Sequence, residues 1–119
     1  MANKSPSEAV FNSAAELFAV LATPVRLQII SSLCNSEKNV SQLLEEVDTT
    51  QPNMSQHLSM LYRAGILARR REGTQIYYRI QSERAAMLCR AVCTQMAIEL
   101  KPEAEVPAAE RLLPVTARG

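Results

Sequence analysis

The chain has 119 residues, 47% hydrophobic and 21% charged, the balance of one ordinary globular domain. That excludes a wholly disordered chain and a second large domain, and no apolar run reaches the roughly 18 residues that a membrane-spanning helix needs. The net charge of +1 hides an uneven distribution: residues 1–57 are acidic overall, whereas residues 58–90 carry Arg63, Arg69, Arg70, Arg71, Arg79, Arg84 and Arg90 against Glu72 and Glu83. A near-neutral chain with one arginine-rich segment points to a local phosphate-binding surface.

Ser5-Pro6-Ser7-Glu8 has the form of a capping box with proline at the first helical position. Val10, Ala14, Leu17, Phe18 and Leu21 follow at helical spacing, which predicts a first helix over residues 6–21. Thr23-Pro24 repeats the start signal, and Leu27, Ile30 and Cys34 share a face of a second helix over residues 24–34. The stretch from Asn35 to Asn39 reads as a polar turn. Ser41 is the expected cap of a short third helix that holds Leu43, Leu44 and Val47 and ends near Asp48. Thr50 then caps a fourth, with Met54, Leu58, Leu61 and Tyr62 on one side and Gly65 as its C-terminal glycine. Two short helices joined by a tight turn make a helix-turn-helix.

Beyond Gly65 the period changes. Residues 66–71 and 75–80 flank Glu72-Gly73-Thr74, and the second run alternates polar and apolar with β-branched and aromatic residues, the pattern of a β-hairpin. Tyr77 and Tyr78 must face opposite sides of their strand, so one is expected in the core. Gln81 or Ser82 starts a last helix over residues 83–100. Residues 101–119 hold three prolines and scattered Ala and Glu, and are expected to form a flexible tail. The expected fold is mainly α with a small β-hairpin: a winged helix-turn-helix spanning residues 1–100, in a dimer.

In such a fold the second helix of the motif enters the major groove and the hairpin, or wing, lies along the neighbouring backbone. Thr50, Gln51, Asn53, Ser55, Gln56 and His57 are then the DNA-facing residues of that helix, with Arg63 near its end and Arg69, Arg70, Arg71, Thr74 and Gln75 on the wing. Side-chain amides suit adenine's major-groove edge, and hydroxyls and free N–H groups at a helix start suit phosphate oxygens. A solvated polar face is the plainer reading of each residue taken singly, and for His57 local packing is a strong competitor.

Enzymatic readings find little support. His57 is the sole histidine, which removes most zinc-hydrolase chemistry and leaves no nucleophile–base constellation. The three glycines form no phosphate loop. No cofactor or metal is expected. Cys34, Cys89 and Cys93 are too few for a disulfide scaffold. The segment from Met1 to Ser13 lacks a secretory layout. A cytoplasmic protein with free thiols is therefore expected.

Four segments, Leu21 to Leu27, Gln51 to Leu58, Leu61 to Leu67 and Arg71 to Tyr78, together resemble the ArsR/SmtB family of bacterial repressors. The run Ser55-Gln56-His57-Leu58 followed by Gly65 and the wing Arg71-Glu72-Gly73 to Tyr77-Tyr78 carries the likeness. The resemblance implies a homodimer, paired through its first and last helices, that binds a palindromic operator in double-stranded DNA and is released by an inducer. The arsenic-type Cys-x-Cys pair is replaced by Leu44-Glu45-Glu46-Val47, and the last helix lacks the Asp and His of the zinc-type site. Some thiol-switch members, which respond to oxidants or reactive sulfur, resemble this chain in having cysteines in the second and last helices. Cys34 and Cys93 are each displaced by about one turn from that layout.

Three readings of the cysteines stay open: apolar packing, a thiol switch that joins Cys34 to the last helix, and a three-thiolate site for a soft metal or metalloid. A winged-helix protein-interaction module without DNA binding is the competing class for the whole chain. For a base reader in this frame, Gln56→Ala should cost roughly 1–3 kcal/mol in specific DNA binding and relax the preferred sequence. Competition gel shifts should show non-specific affinity nearly unchanged.

Overall fold

The computed structural model describes residues 6–100. The order is α1 (Pro6–Leu21), α2 (Pro24–Leu33), β1 (Lys38–Asn39), α3 (Val40–Glu46), α4 (Gln51–Arg63), β2 (Leu67–Glu72), β3 (Gln75–Ile80) and α5 (Glu83–Glu99). This is a winged helix-turn-helix, as the sequence pattern implies. The capping role of Ser5 and the tail at residues 101–119 lie outside the described residues.

The helix starts follow their caps. Thr23 Oγ1 accepts from the Arg26 N–H at 3.1 Å, Thr50 Oγ1 from the Asn53 N–H at 3.2 Å, and Ser82 Oγ from the Ala85 N–H at 3.2 Å. Each satisfies one of the donors that a helix start leaves unpaired. The end of α4 is a Schellman turn. Gly65 takes φ +81°, its N–H donates to the Tyr62 carbonyl at 3.1 Å, and the Ile66 N–H donates to the Leu61 carbonyl at 3.0 Å. The Ile66 carbonyl then accepts from the N–H groups of Gln81 and Ser82 at 2.9 and 3.1 Å, which ties the base of the hairpin to the start of α5.

Two expectations need correction. Ser41 does not cap α3: Asn39 does, in a capping box with Gln42 whose two hydrogen bonds are both 2.9 Å. The Asn39 side-chain oxygen accepts from the Gln42 N–H and the Asn39 backbone N–H donates to the Gln42 side chain, whereas a hydroxyl at position 41 already lies inside the helix. The polar stretch 35–39 is also not only a turn, because Lys38 and Asn39 form a short third strand antiparallel to β3, opposite Tyr78 and Tyr77. The sheet order is β1-β3-β2. Lys and Asn have little intrinsic strand preference; the free edge of β3 recruits them.

The hairpin itself has its expected register, with Leu67 opposite Ile80 and Glu72 opposite Gln75. Only Gly73 of its two-residue loop has positive φ, +64°, which fits a type II′ turn.

One aliphatic core joins these elements: Ile29, Ile30 and Leu33 of α2, Leu43 of α3, Met54, Leu58 and Leu61 of α4, Leu67 and Tyr78 of the wing, and Ala85 and Cys89 of α5. Tyr78 is thus the tyrosine that turns inward. α1 is the exception, since Leu21 is its one buried residue among those described. It meets α2 at 94° and leaves Val10, Phe11 and Phe18 exposed. Leu58 has no exposure at all, so Leu58→Ala should destabilise the protein by about 2–5 kcal/mol. Urea unfolding at one fixed protein concentration measures this.

Candidate nucleic-acid interface

The two faces of α4 differ because its apolar residues recur every three or four positions. Met54, Leu58 and Leu61 are buried, while Gln51, Ser55 and Gln56 are exposed. The side chains of these three polar residues are unengaged among the described residues, so their donors and acceptors are available to a groove. Thr50 and Asn53 are partly spent on the helix start. Besides its capping contact, Asn53 donates from Nδ2 to Thr49 Oγ1 at 2.7 Å.

His57 is turned toward α2 rather than fully outward. It is half-buried, and its Nδ1 accepts a hydrogen bond from Arg26 Nε at 3.0 Å. Burial first, and then the Arg26 charge, hold its pKa below the usual 6.5. The ring is therefore neutral near pH 7, with the proton on Nε2. Sequence reasoning did not single out Arg26. It sits in the run after Thr23-Pro24, and nothing in the spacing shows that its side chain crosses to α4.

The wing arginines are not equivalent. Arg69 and Arg71 share one face of β2, and Arg70 occupies the other. The Arg69 guanidinium lies over the Tyr62 ring, 3.9 Å from its centroid, and so braces the wing against the end of α4. Arg70 is held three ways: Nη2 is 2.8 Å from Glu37 Oε2, Nη1 is 2.7 Å from Glu72 Oε1, and its guanidinium lies 4.9 Å from the Tyr77 ring centroid. The same contact lowers the Glu37 pKa. Arg71 is exposed and makes no ion pair among the described residues, and Arg63 is likewise exposed at the end of α4. Thr74 sits exposed in the hairpin loop beside Gln75, whose Oε1 accepts from Asn39 Nδ2 at 3.3 Å.

The thiols gather between α2 and α5. Cys89 is buried and Cys34 and Cys93 are half-buried, all unbridged. Cys89 Sγ is 3.8 Å from Cys93 Sγ and 3.6 Å from the Leu27 carbonyl oxygen. Burial, then the bond to Cys93, pushes the Cys89 thiol up to about 12. Arg90 of α5 reaches Cys34, with Nη1 3.6 Å from its Sγ. The two α5 thiols also border an apolar pocket of about 290 Å³ between Phe18, Leu21, Leu27 and Val92. Among the described residues no three Cys, His, Asp or Glu side chains are placed to hold a metal ion. The three thiols are neighbours without forming a common coordination point.

With this geometry in hand, comparison with known proteins assigns the chain. The family model for bacterial regulatory proteins of the arsR family matches residues 23–69, from the cap of α2 into the wing. The HTH-type transcriptional regulator KmtR of Mycobacterium tuberculosis is 40% identical over 73 residues, 61% of this chain and 56% of its own length. The chain thus spans little more than half of that relative. The crystal structure of the transcriptional repressor BigR from Xylella fastidiosa is 36% identical with a TM-score of 0.70, over 74% of this chain and 90% of that one. The homodimeric winged helix-turn-helix DNA-binding domain Mb0332 from Mycobacterium bovis is 33% identical with a TM-score of 0.65, over 83% and 92%. The motif residues, the strand-helix order and these matches agree, and the chain belongs to the ArsR family of bacterial regulatory proteins.

Proposed function

We propose that this protein is a transcriptional repressor that binds a palindromic operator as a homodimer and leaves it when cysteines of α2 and α5 react with an oxidant or reactive sulfur species. The observation that carries the DNA-binding part is an unengaged polar face on α4, Gln51, Ser55 and Gln56, with Arg63 at the end of the same helix and Arg71, without an ion pair among the described residues, on the wing that follows it. Amides read base edges and the arginines hold phosphates. The names of the relatives, regulator and repressor, support the same reading. Such a protein works in the cytoplasm, on chromosomal DNA. Arg70, already paired with Glu37 and Glu72, contributes less to the salt dependence than Arg71.

The dimer reading rests on what α1 and α5 leave uncovered. Phe18 is 56% and Val92 51% exposed, with Val10, Phe11, Met87, Met96, Ile98 and Leu100 also open. Leu21 of α1 belongs to the core of its own chain, and Leu17 and Leu88 are partly buried against that core. An apolar surface of this extent on a small domain favours a partner, and Mb0332 is described as homodimeric. In the resulting two-state scheme, a link between Cys34 and a thiol of α5 would tie α2 to the paired helices and change the separation of the two α4 helices.

Val92→Asp should leave the domain folded, because Val92 is half exposed on its own chain, while abolishing both dimer and operator binding. Analytical ultracentrifugation and gel shift on the promoter of the gene itself test this, and a wild type that stays monomeric at micromolar concentration removes the dimer. For the thiols, iodoacetamide at pH 8.5 should label Cys34 and Cys93 at least about ten-fold faster than Cys89, because the thiolate is the nucleophile and Cys89 holds its proton. Peptide mass spectrometry reads the order. Cys34→Ser should remain bound to DNA when treated with peroxide or polysulfide; release of the triple Cys→Ser variant on treatment would end the switch reading.

A further inference from the structure

We propose that Arg26 is a positioning residue for DNA reading: its guanidinium clamps α4 to the end of α1, and so fixes the separation of the two reading heads in the dimer. This rests on the DNA-binding reading above. Three guanidinium contacts define the clamp, and the backbone N–H of Arg26 anchors the residue to the cap of α2 by donating to Thr23 Oγ1. Nη1 donates to the Val20 carbonyl at 2.8 Å, Nε donates to His57 Nδ1 at 3.0 Å, and Nη2 lies 3.0 Å from Met60 Sδ.

The chemistry of each contact explains why an arginine is used. The last carbonyls of a helix have no intrahelical partner and carry the negative end of its dipole. α1 has no basic residue in its last turn, and Arg26, from the next helix, supplies that cation. His57 and Met60 are three residues apart on α4 and therefore lie on one face of it, so a single planar fork grips two successive turns. A lysine has no such fork. Because α1 buries little against its own chain and meets α2 at a sharp corner, this guanidinium is a direct polar link between the exposed apolar helix and the reading helix.

The clamp has a built-in dependence on protonation. Nδ1 accepts only while the ring is neutral, and a second proton would set donor against donor. The cleft around the ring contains Arg26 of α2 and Arg63 of α4 as its other charged groups and no carboxylate, so nothing there rescues the imidazolium. His57 has its pKa lowered in the folded protein. The contribution of the clamp is therefore complete above about pH 6.5 and is lost as pH falls through the folded value.

His57 is the sole histidine, so its ring protons give one unambiguous NMR titration. The wild-type midpoint should lie below 6.5, and Arg26→Gln should move it upward while the rest of the spectrum stays that of a folded protein. The second measurement uses duplexes bearing the inverted repeat that the wild type selects from a random library, with the half-site spacing native or changed by one base pair. The wild type should prefer the native spacing by about ten-fold or more at pH 7.5. Arg26→Gln should lose most of that preference while binding random-sequence duplex within about two-fold of wild type, and Arg26→Lys should not restore it. Wild type at acid pH, below the His57 midpoint, should behave like the variant.

An unmoved His57 midpoint, or full spacing preference in Arg26→Gln, overturns the positioning role. Failure of both proteins to bind any duplex sinks the DNA-binding reading and this role with it, whereas intact wild-type binding with an indifferent variant sinks the role alone.

Discussion

Everything that α4 presents to the outside depends on how its inner stripe is held. Met54, Leu58 and Leu61 are completely buried against α2, α3 and the start of β2. Apolar burial at roughly 25 cal/mol per Å² makes this stripe the strongest local determinant of the helix's rotation about its own axis. A rotation by one residue, about 100°, would turn Ser55 or His57 inward and expose leucine. The exposed polar face is thus the back of a packing solution. Its residues owe their exposure to their neighbours' hydrophobicity.

Polar contacts then refine what burial sets in outline. The Schellman turn at Gly65 ends α4 and aims the chain into the wing. Arg69 on Tyr62 and the core position of Tyr78 hold the wing to the same helix. The exposed Arg69–Tyr62 contact is weak on its own, but it acts on an orientation already selected by the core. The arginine segment consequently divides its labour. Arg69 braces, Arg70 is neutralised by Glu37 and Glu72, and Arg63 and Arg71 keep their charge for solvent or phosphate.

The opposite end of the molecule is organised by what it lacks. α1 contributes little to the core and α5 buries only its inner face, Ala85, Ala86 and Cys89. The exposed phenylalanines, methionines and Val92 form the surface on which the dimer proposal stands. The thiols sit at the border between that surface and α2, where burial favours the protonated form of Cys89 and leaves Cys34 and Cys93 partly exposed. A chemical change there acts on two layers at once, which is what a release mechanism would require.

Much of this was legible in the chain. The caps at Thr23, Thr50 and Ser82, the 3.6-residue period of α4, the glycines at 65 and 73 and the alternation around Tyr77 and Tyr78 are local signals, carried by backbone chemistry within a few residues. They sufficed for the helices, the hairpin and the family. The short strand at Lys38–Asn39 was not legible, because polar residues become a strand there only when the edge of β3 is present to pair with them. Nor were the roles of the charged and titratable side chains. The sequence marks Arg69, Arg70 and Arg71 as one basic run and His57 as part of a polar face. Tertiary structure places Glu37, some 33 residues away, against Arg70, and Arg26, 31 residues away, against His57. Local propensity specifies elements because its interactions are short in sequence; which charges remain free is decided by contacts that only the packed fold creates.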